Sequence, residues 1–485
     1  MSIGTGMLIA GGVLTAGIVV ALGASRTGVP FLVAFLGLGM LLGSDGPGGI
    51  DFDDAEQARR VGTVCLAAIL FEGGLSTSWR RLRQVAAPAA LLGTVGVVVT
   101  TVLTGLAARA LFDLTWLEAF LLGAVVSSTD AAAVFATLRT THVERRLART
   151  LEAETGLNDP MAIALTIGLV EWIEHRHTGL PHLVLLVVRE LGIGLAVGVA
   201  LGAVATWAFS RLPQSIGAFA PVASVAAGAL GFGLADVLHG SGFLAVYLVG
   251  LAVGSTPSRY RRQLVAFHEG IAFTAQVAMF VVLGLLVFPH DLPDVAVDGI
   301  VLAAALMFAI RPIAVLASTA GFSQLDARDR GLLGWAGLRG AVPIVLGTFV
   351  LSSRVGPGET IFNAVFFVVV VSALLQGTTL EWVAERLGVV SATPPAAAVP
   401  LEVDVHGSLE LVQFPVAPED AIAGAFVREL GLPRSALVAV IARGGDSIPP
   451  RGSTVVEPGD RLFVLLPRER RADLEDVFAR WRRRV

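Results

Sequence analysis

Lysine is absent from this sequence, so all 35 basic side chains of its 485 residues are arginine, and charged residues of either sign make up only 15% of the chain. An ordinary water-soluble enzyme of this length, with charge spread over its surface, is not expected. The single cysteine, Cys65, sits in an apolar run. That excludes a disulfide framework within the chain, and no local His/Cys spacing supplies a structural zinc site. His239, His268 and His290 fall near the ends of apolar runs with no nucleophile or metal partner beside them. They read as solvated or capping groups, so no enzyme constellation is present. No basic segment precedes the first apolar run, Met7 to Gly23, and no cleavable leader is expected.

What is abundant is apolar sequence: 54% of residues are hydrophobic, and 55 are glycine, which lets membrane helices approach closely. Apolar runs bounded by charge, Pro or Gly lie at 7–24, 29–43, 60–77, 85–111, 116–138, 150–174, 185–210, 217–238, 241–255, 268–288, 298–320, 331–352 and 361–386. The fold class that follows is an all-α polytopic membrane protein with about 13 transmembrane helices. Arg26, Arg80, Arg81, Arg83, Arg139, Arg145, Arg146, Arg149, Arg211, Arg259, Arg261, Arg262, Arg328 and Arg330 all follow odd-numbered runs, which places those loops in the cytoplasm and the N-terminus outside. Composition changes near residue 388. A Pro/Ala-rich linker occupies 389–401, and 402–485 reads as a small α+β cytoplasmic domain. Its strands are expected at Leu409–Phe414, Leu437–Ala442 and Arg461–Leu466, and its helices at Glu419–Leu430 and Glu469–Arg480. Arg480, Arg482, Arg483 and Arg484 form a basic end that reads as solvated.

A charge inside a membrane helix costs about 2.5–3.5 kcal/mol on insertion scales, so each one needs a partner or a function. Those to explain are Glu72, Asp130, Glu154, Asp159, Arg311 and Arg339, with Thr129, Thr155 and Asn158 beside them. Ser127-Ser128-Thr129-Asp130-Ala131 interrupts the fifth run with short polar side chains that compete for backbone hydrogen bonds, and local unwinding is expected there. In the sixth run Glu154 and Asn158 share a helix face, Asp159 looks elsewhere, and Pro160 is expected to break the helix and free the Gly156 carbonyl. Asp130 and Asp159, with the Thr129 or Thr155 hydroxyl and freed carbonyls, make an oxygen-only set suited to a hard monovalent cation. Glu154 reads as the partner of Arg311 in an architectural ion pair. Arg339 lies in Gly337-Leu338-Arg339-Gly340-Ala341-Val342-Pro343, a second interruption seven runs after the first. Paired interruptions of this kind mark inverted-repeat transporters with the site at the crossing. Glu72 reads equally as a packing group or as part of a cytoplasmic funnel.

Thr129-Asp130, Glu154 with Asn158-Asp159, Arg311-Pro312 and the Gly337–Pro343 stretch resemble the NhaP/NHE type of cation/proton antiporter over residues 1–388. The resemblance implies an NhaA-like fold with two crossed broken helices, a homodimer, and a core domain that moves to give alternating access. It also implies that Asp130 and Asp159 are the ion and proton site, that Thr129 and Thr155 help to ligate, and that Asn158, Glu154, Arg311 and Arg339 stabilise the core. Ala131 departs from the family, in which many members have proline there. The tail, with Phe414-Pro415-Val416 and Val456-Glu457-Pro458-Gly459-Asp460-Arg461-Leu462, is similar to TrkA-C (RCK-C) regulatory modules, which commonly dimerise and in some cases bind nucleotides or other small ligands. No GxGxxG follows a strand, so a nucleotide-binding half is not expected.

The reading is a secondary antiporter of the inner (cytoplasmic) membrane in which K⁺ or Na⁺ competes with H⁺ for buried aspartates; Asn158 leaves one titratable group fewer at that position, and the resemblance implies electroneutral one-for-one exchange. The tail favours potassium. No cofactor beyond the transported ions is expected, and the partners are membrane lipid and a second copy of the chain rather than nucleic acid. The rival reading is a ligand-gated potassium channel or carrier subunit controlled by the tail. Against it stand the lack of a Thr-Val-Gly-Tyr-Gly-like filter and the acids at mid-membrane.

Overall fold

The computed structural model describes residues 3–27, 29–130, 133–134, 143–175, 179–211, 219–256, 260–353, 355–390, 409–444, 446–467 and 471–482. Ala131, Arg139, Arg259, Arg483, Arg484 and the 391–401 part of the expected linker lie outside them. The chain divides into two compact units, Met1–Val390 and Ser391–Val485.

In the first unit, helices fall on the apolar runs. They are α1 (Ile3–Thr27), α2 (Phe31–Leu42), α3 (Ala55–Ser76), α4 (Ala86–Leu111), α5 (Trp116–Val125), α6 (Arg145–Glu174), α7 (Leu180–Arg211), α8 (Ala220–Val237), α9 (Gly242–Ser255), α10 (Arg261–Leu285), α11 (Pro293–Thr319), α12 (Ala327–Trp335), α13 (Ala341–Ser352) and α14 (Gly358–Leu387). Among the described residues, α4, α7, α8, α10, α11 and α14 are long and apolar enough to cross a bilayer.

Local signals set the ends. The Asp54 carboxylate accepts from the Gln57 N–H at 2.9 Å to open α3. Glu118 accepts from the Thr115 N–H at 2.7 Å in the capping box of α5. Gly388, at φ +69°, closes α14 in the left-handed region. Close backbone approach joins α3 to α9, where a Cβ on Gly254 would stand 2.0 Å from the Leu75 carbonyl oxygen. Two π-helical segments, Leu92–Gly96 in α4 and Leu306–Ile310 in α11, flank the centre of the unit. The first brings Gly93 against α6, and the second leads directly into Arg311.

Three sequence expectations are corrected. Pro160 does not break α6, which runs unbroken from Arg145 to Glu174 with the proline inside it. The surroundings from Asn158 to Leu165 are buried, and packing on all sides holds the helix across the missing hydrogen bond. His268 is neither solvated nor a cap. It is 3% exposed, 2.8 Å from the Ser224 hydroxyl and in ring contact with Phe71. Glu419–Leu430 is a chain of turns with a single 3₁₀ turn at Val427–Glu429. There the Asp420 carboxylate takes the Ala417 N–H at 2.8 Å, Gly424 adopts φ +92°, and the amides of Ala421 and Gly424 donate to distant Trp481 and Val456 carbonyls.

The second unit is a four-stranded antiparallel sheet of order β1 (Leu409–Pro415), β4 (Arg461–Pro467), β2 (Leu437–Arg443), β3 (Asp446–Ile448). One helix, α15 (Arg471–Trp481), packs Phe478 and Trp481 against Phe414 with ring centroids 4.9 and 5.1 Å away. Arg443 forks onto the fully buried Asp460 with two 2.8 Å hydrogen bonds, which ties β2 to the turn before β4.

Candidate ion-binding site

The α5 helix stops at Val125 because the serines that follow send their hydroxyls away from continued helix. Ser127 Oγ donates to the Ala124 carbonyl at 2.6 Å, and Ser128 Oγ donates to Asp159 Oδ1 at 2.5 Å. The chain is non-helical through Asp130, whose Oδ1 accepts from the Ala133 N–H at 3.0 Å. A second interruption, Gly337–Gly340 between α12 and α13, lies against the first. The Asp130 N–H donates to the Leu338 carbonyl at 2.8 Å, and Arg339 Nη1 donates to the carbonyls of Ser127 and Ser128 at 2.6 and 2.7 Å. The guanidinium therefore holds two backbone carbonyls just past the C-terminal end of α5, where the helix dipole also favours a positive charge. Gly340 is obligatory in this crossing, since a Cβ there would lie 1.9 Å from Asp130 Oδ2.

Across the interruption stands α6. Asn158 Nδ2 donates to Thr129 Oγ1 at 2.5 Å, and the Thr155 hydroxyl reaches the Leu151 and Thr129 carbonyls at 3.3 and 3.5 Å. One turn back, Glu154 Oε1 pairs with Arg311 Nη2 at 2.6 Å, with both side chains 3% exposed or less. Arg311 also approaches the Leu333 carbonyl at 3.4 Å. Thr129, Glu154, Asn158, Asp159, Arg311 and Arg339 are all buried, and Asp159 lies within electrostatic reach of Asp130 and Glu154. Glu72 stands outside this hydrogen-bonded set: its carboxylate accepts from Ser76 Oγ at 2.6 Å on α3 and faces Glu269.

The structure brings Thr129, Asp130, Thr155, Asn158 and Asp159 to one place, and it joins Glu154 to Arg311. It adds two groups that the residue pattern did not single out, the Ser128 hydroxyl on Asp159 and the Ser127 and Ser128 carbonyls held by Arg339. The only signal for Ser128 was its place in the interruption, where no helical period says which way a side chain points. Chemically, the site gathers carboxylate, hydroxyl and carbonyl oxygens. Both buried arginines have partners, Arg311 in Glu154 and Arg339, through Nη1, in backbone carbonyls, while Arg339 Nε and Nη2 meet no hydrogen-bond partner among the described residues. Asp130, Glu154 and Asp159 set against Arg311 and Arg339 leave one negative charge uncompensated, the charge of one proton or one monovalent cation.

Comparison with known proteins follows the same division of the chain. The transmembrane sodium/hydrogen exchanger family model matches residues 12–386, and the TrkA-C domain model matches residues 411–479. The K⁺/H⁺ antiporter NhaP2 of Shewanella baltica is 36% identical over 94% of this chain and 80% of its own length. The K⁺/H⁺ antiporter NhaP of Alkalimonas amylolytica is 38% identical over 97% of this chain and 82% of its own. The Na⁺/H⁺ antiporter ApNhaP of Aphanothece halophytica is 28% identical over 67% of this chain and 64% of its own. The sodium proton antiporter MjNhaP1 of Methanocaldococcus jannaschii, solved at pH 8, superposes with a TM-score of 0.71 at 22% identity over 80% of this chain and 99% of that one, a likeness of fold.

Proposed function

Since the chain belongs to the sodium/hydrogen exchanger family, we propose that it is a secondary cation/proton antiporter, that K⁺ is its principal cation, and that exchange is electroneutral, one for one. One observation carries the reading: buried Asp159 and neighbouring Asp130 face an unwound helix while both nearby arginines are engaged elsewhere, which leaves room for one positive charge. The K⁺ assignment follows the two relatives that resemble the chain over almost its whole length. A gated channel is not favoured.

In this reading the apolar runs all cross the membrane as inverted repeats of the NhaA type, with the interruptions after α5 and α12 in corresponding places. The arginine-rich loops face the cytoplasm, the N-terminus lies outside, and two copies form a homodimer through both units. Asp130 and Asp159 exchange proton for cation, Thr129 and Thr155 contribute oxygens, and Asn158, Glu154, Arg311 and Arg339 hold the frame. No resident cofactor takes part in exchange. Purified protein in vesicles carrying a pH-sensitive dye tests this directly. Potassium pulses should move protons, unaffected by clamping the membrane potential, and a response only to potential would contradict electroneutral exchange.

The tail is proposed as a regulator that begins beyond residue 401 and responds to a nucleotide or other small ligand. Truncation after Ser391 should leave a folded, exchanging membrane unit with an altered dependence on pH or on such a ligand, because every proposed ion ligand precedes it. A ligand on the tail regulates only if it binds two arrangements unequally. Activity–pH curves of full-length and truncated protein in the same vesicles check this, and superimposable curves would make the tail an assembly element.

A further inference from the structure

A second polar cluster lies on α6 outside the site just described. Glu152 precedes Asp159 by seven residues, two turns of helix, so it shares that face about 10 Å nearer the Arg145 end. Thr77, the residue that caps the C-terminus of α3 and 3% exposed, donates its hydroxyl to Glu152 Oε1 at 2.7 Å and also stands 2.8 Å from the Gly73 carbonyl. One hydroxyl proton cannot fully serve both. Glu152 makes no ion pair among the described residues, and the α6 arginines near it are engaged, Arg146 by Asp329 and Arg149 by Gln84.

Tyr247 of α9 completes the group. The residue is 6% exposed, and its hydroxyl lies beside the Thr77 hydroxyl, facing Glu152 and Asp159, without a well-aligned hydrogen bond among the described residues. Buried hydroxyls are ordinarily satisfied, and one that is not points to an absent partner. The phenol can sit there only because residue 156 is glycine, since a Cβ at that position would fall 2.5 Å from the Tyr247 oxygen. Gly156 belongs to the same face, and Pro160, four residues on, has no N–H to offer its carbonyl. Carboxylate, alcohol and phenol oxygens thus gather at one place on this face of α6, the kind of oxygen donor set that a hard cation takes.

We propose that Glu152, Thr77 and Tyr247 form a second cation station, where a partly dehydrated monovalent cation pauses between the arginine-rich side of the membrane unit and Asp159. The inference rests on the antiport reading and deepens it. A station on one side of the exchange site lowers the concentration at which cations load from that side without taking part in proton exchange.

The test uses the full chain, reconstituted and assayed with K⁺ supplied from each face in turn. Glu152→Gln and Tyr247→Phe should each raise the half-saturating K⁺ concentration from the arginine-rich face by about tenfold, the loss of one charged or polar ligand. The opposite face should change by less than about twofold, and Glu152→Asp should recover part of the loss. In detergent, thallous ion should still bind Asp159→Asn and should lose that residual binding when Glu152→Gln is added. Unchanged half-saturation from both faces, or a fall in maximal rate alone, would overturn the station. If the unaltered protein moves no protons in response to cations, the antiport reading itself fails instead.

Discussion

Asp159→Asn and Asp130→Asn are each expected to abolish exchange, to below about one hundredth of the unaltered rate, while the protein stays folded. The amide keeps the shape of the carboxyl group. At position 159 its oxygen still accepts from Ser128 Oγ, which now stands 2.5 Å from Oδ1, and at position 130 it still accepts from the Ala133 N–H. What is lost is the cycle between carboxylate and carboxylic acid, and with it the one negative charge that Arg311 and Arg339 leave uncompensated and that draws a cation into the site. Dequenching of a vesicle-entrapped pH dye measures the loss, and near-normal exchange by either variant would remove that aspartate from the site.

The second large effect is on stability. Arg311→Ala removes the only ion-pair partner of the Glu154 carboxylate, 2% exposed, among the described residues, and breaking a buried pair in this way costs about 3–5 kcal/mol. The Leu333 carbonyl loses an approach from the same guanidinium, and the wall beside Gly337, where a Cβ would touch Arg311 Nε at 2.9 Å, loses its packing. Melting in detergent should fall sharply, and adding Glu154→Gln should restore much of it by removing the stranded charge. An unchanged melting temperature, or no relief from the second substitution, would mean that Glu154 and Arg311 do not depend on each other.

Much of this was legible from residue chemistry. A run of Ser-Ser-Thr-Asp inside an apolar segment offers side-chain partners to the backbone, and the helix stops there. Glu154 and Arg311 are charges that a membrane interior tolerates only together, and they pair. Other features were settled by context that a single sequence does not carry. Pro160 removes one hydrogen bond, but whether the helix breaks depends on neighbours from other helices, and here they hold it. Arg339 was expected to steady the core, yet its partners are carbonyls of an unwound segment 211 and 212 residues away in sequence, groups that every residue possesses and that no pattern marks. The Glu419–Leu430 stretch has helical spacing and acids at its start, but Gly424 and Gly431 at positive φ and the Asp420 turn hold it otherwise. His268 lay near the end of an apolar run and was read as wet, whereas a serine on α8 gives it a buried partner.

The central claim is that proton and cation compete for one site. Its most direct test is the half-saturating K⁺ concentration for exchange in reconstituted vesicles, measured across a range of equal internal and external pH. Competition predicts that this concentration rises about tenfold per pH unit on the acid side, while the rate at saturating K⁺ holds steady. A half-saturating concentration independent of pH, with only the maximal rate changing, would mean that proton and cation bind separate groups, and would contradict the shared site at Asp130 and Asp159.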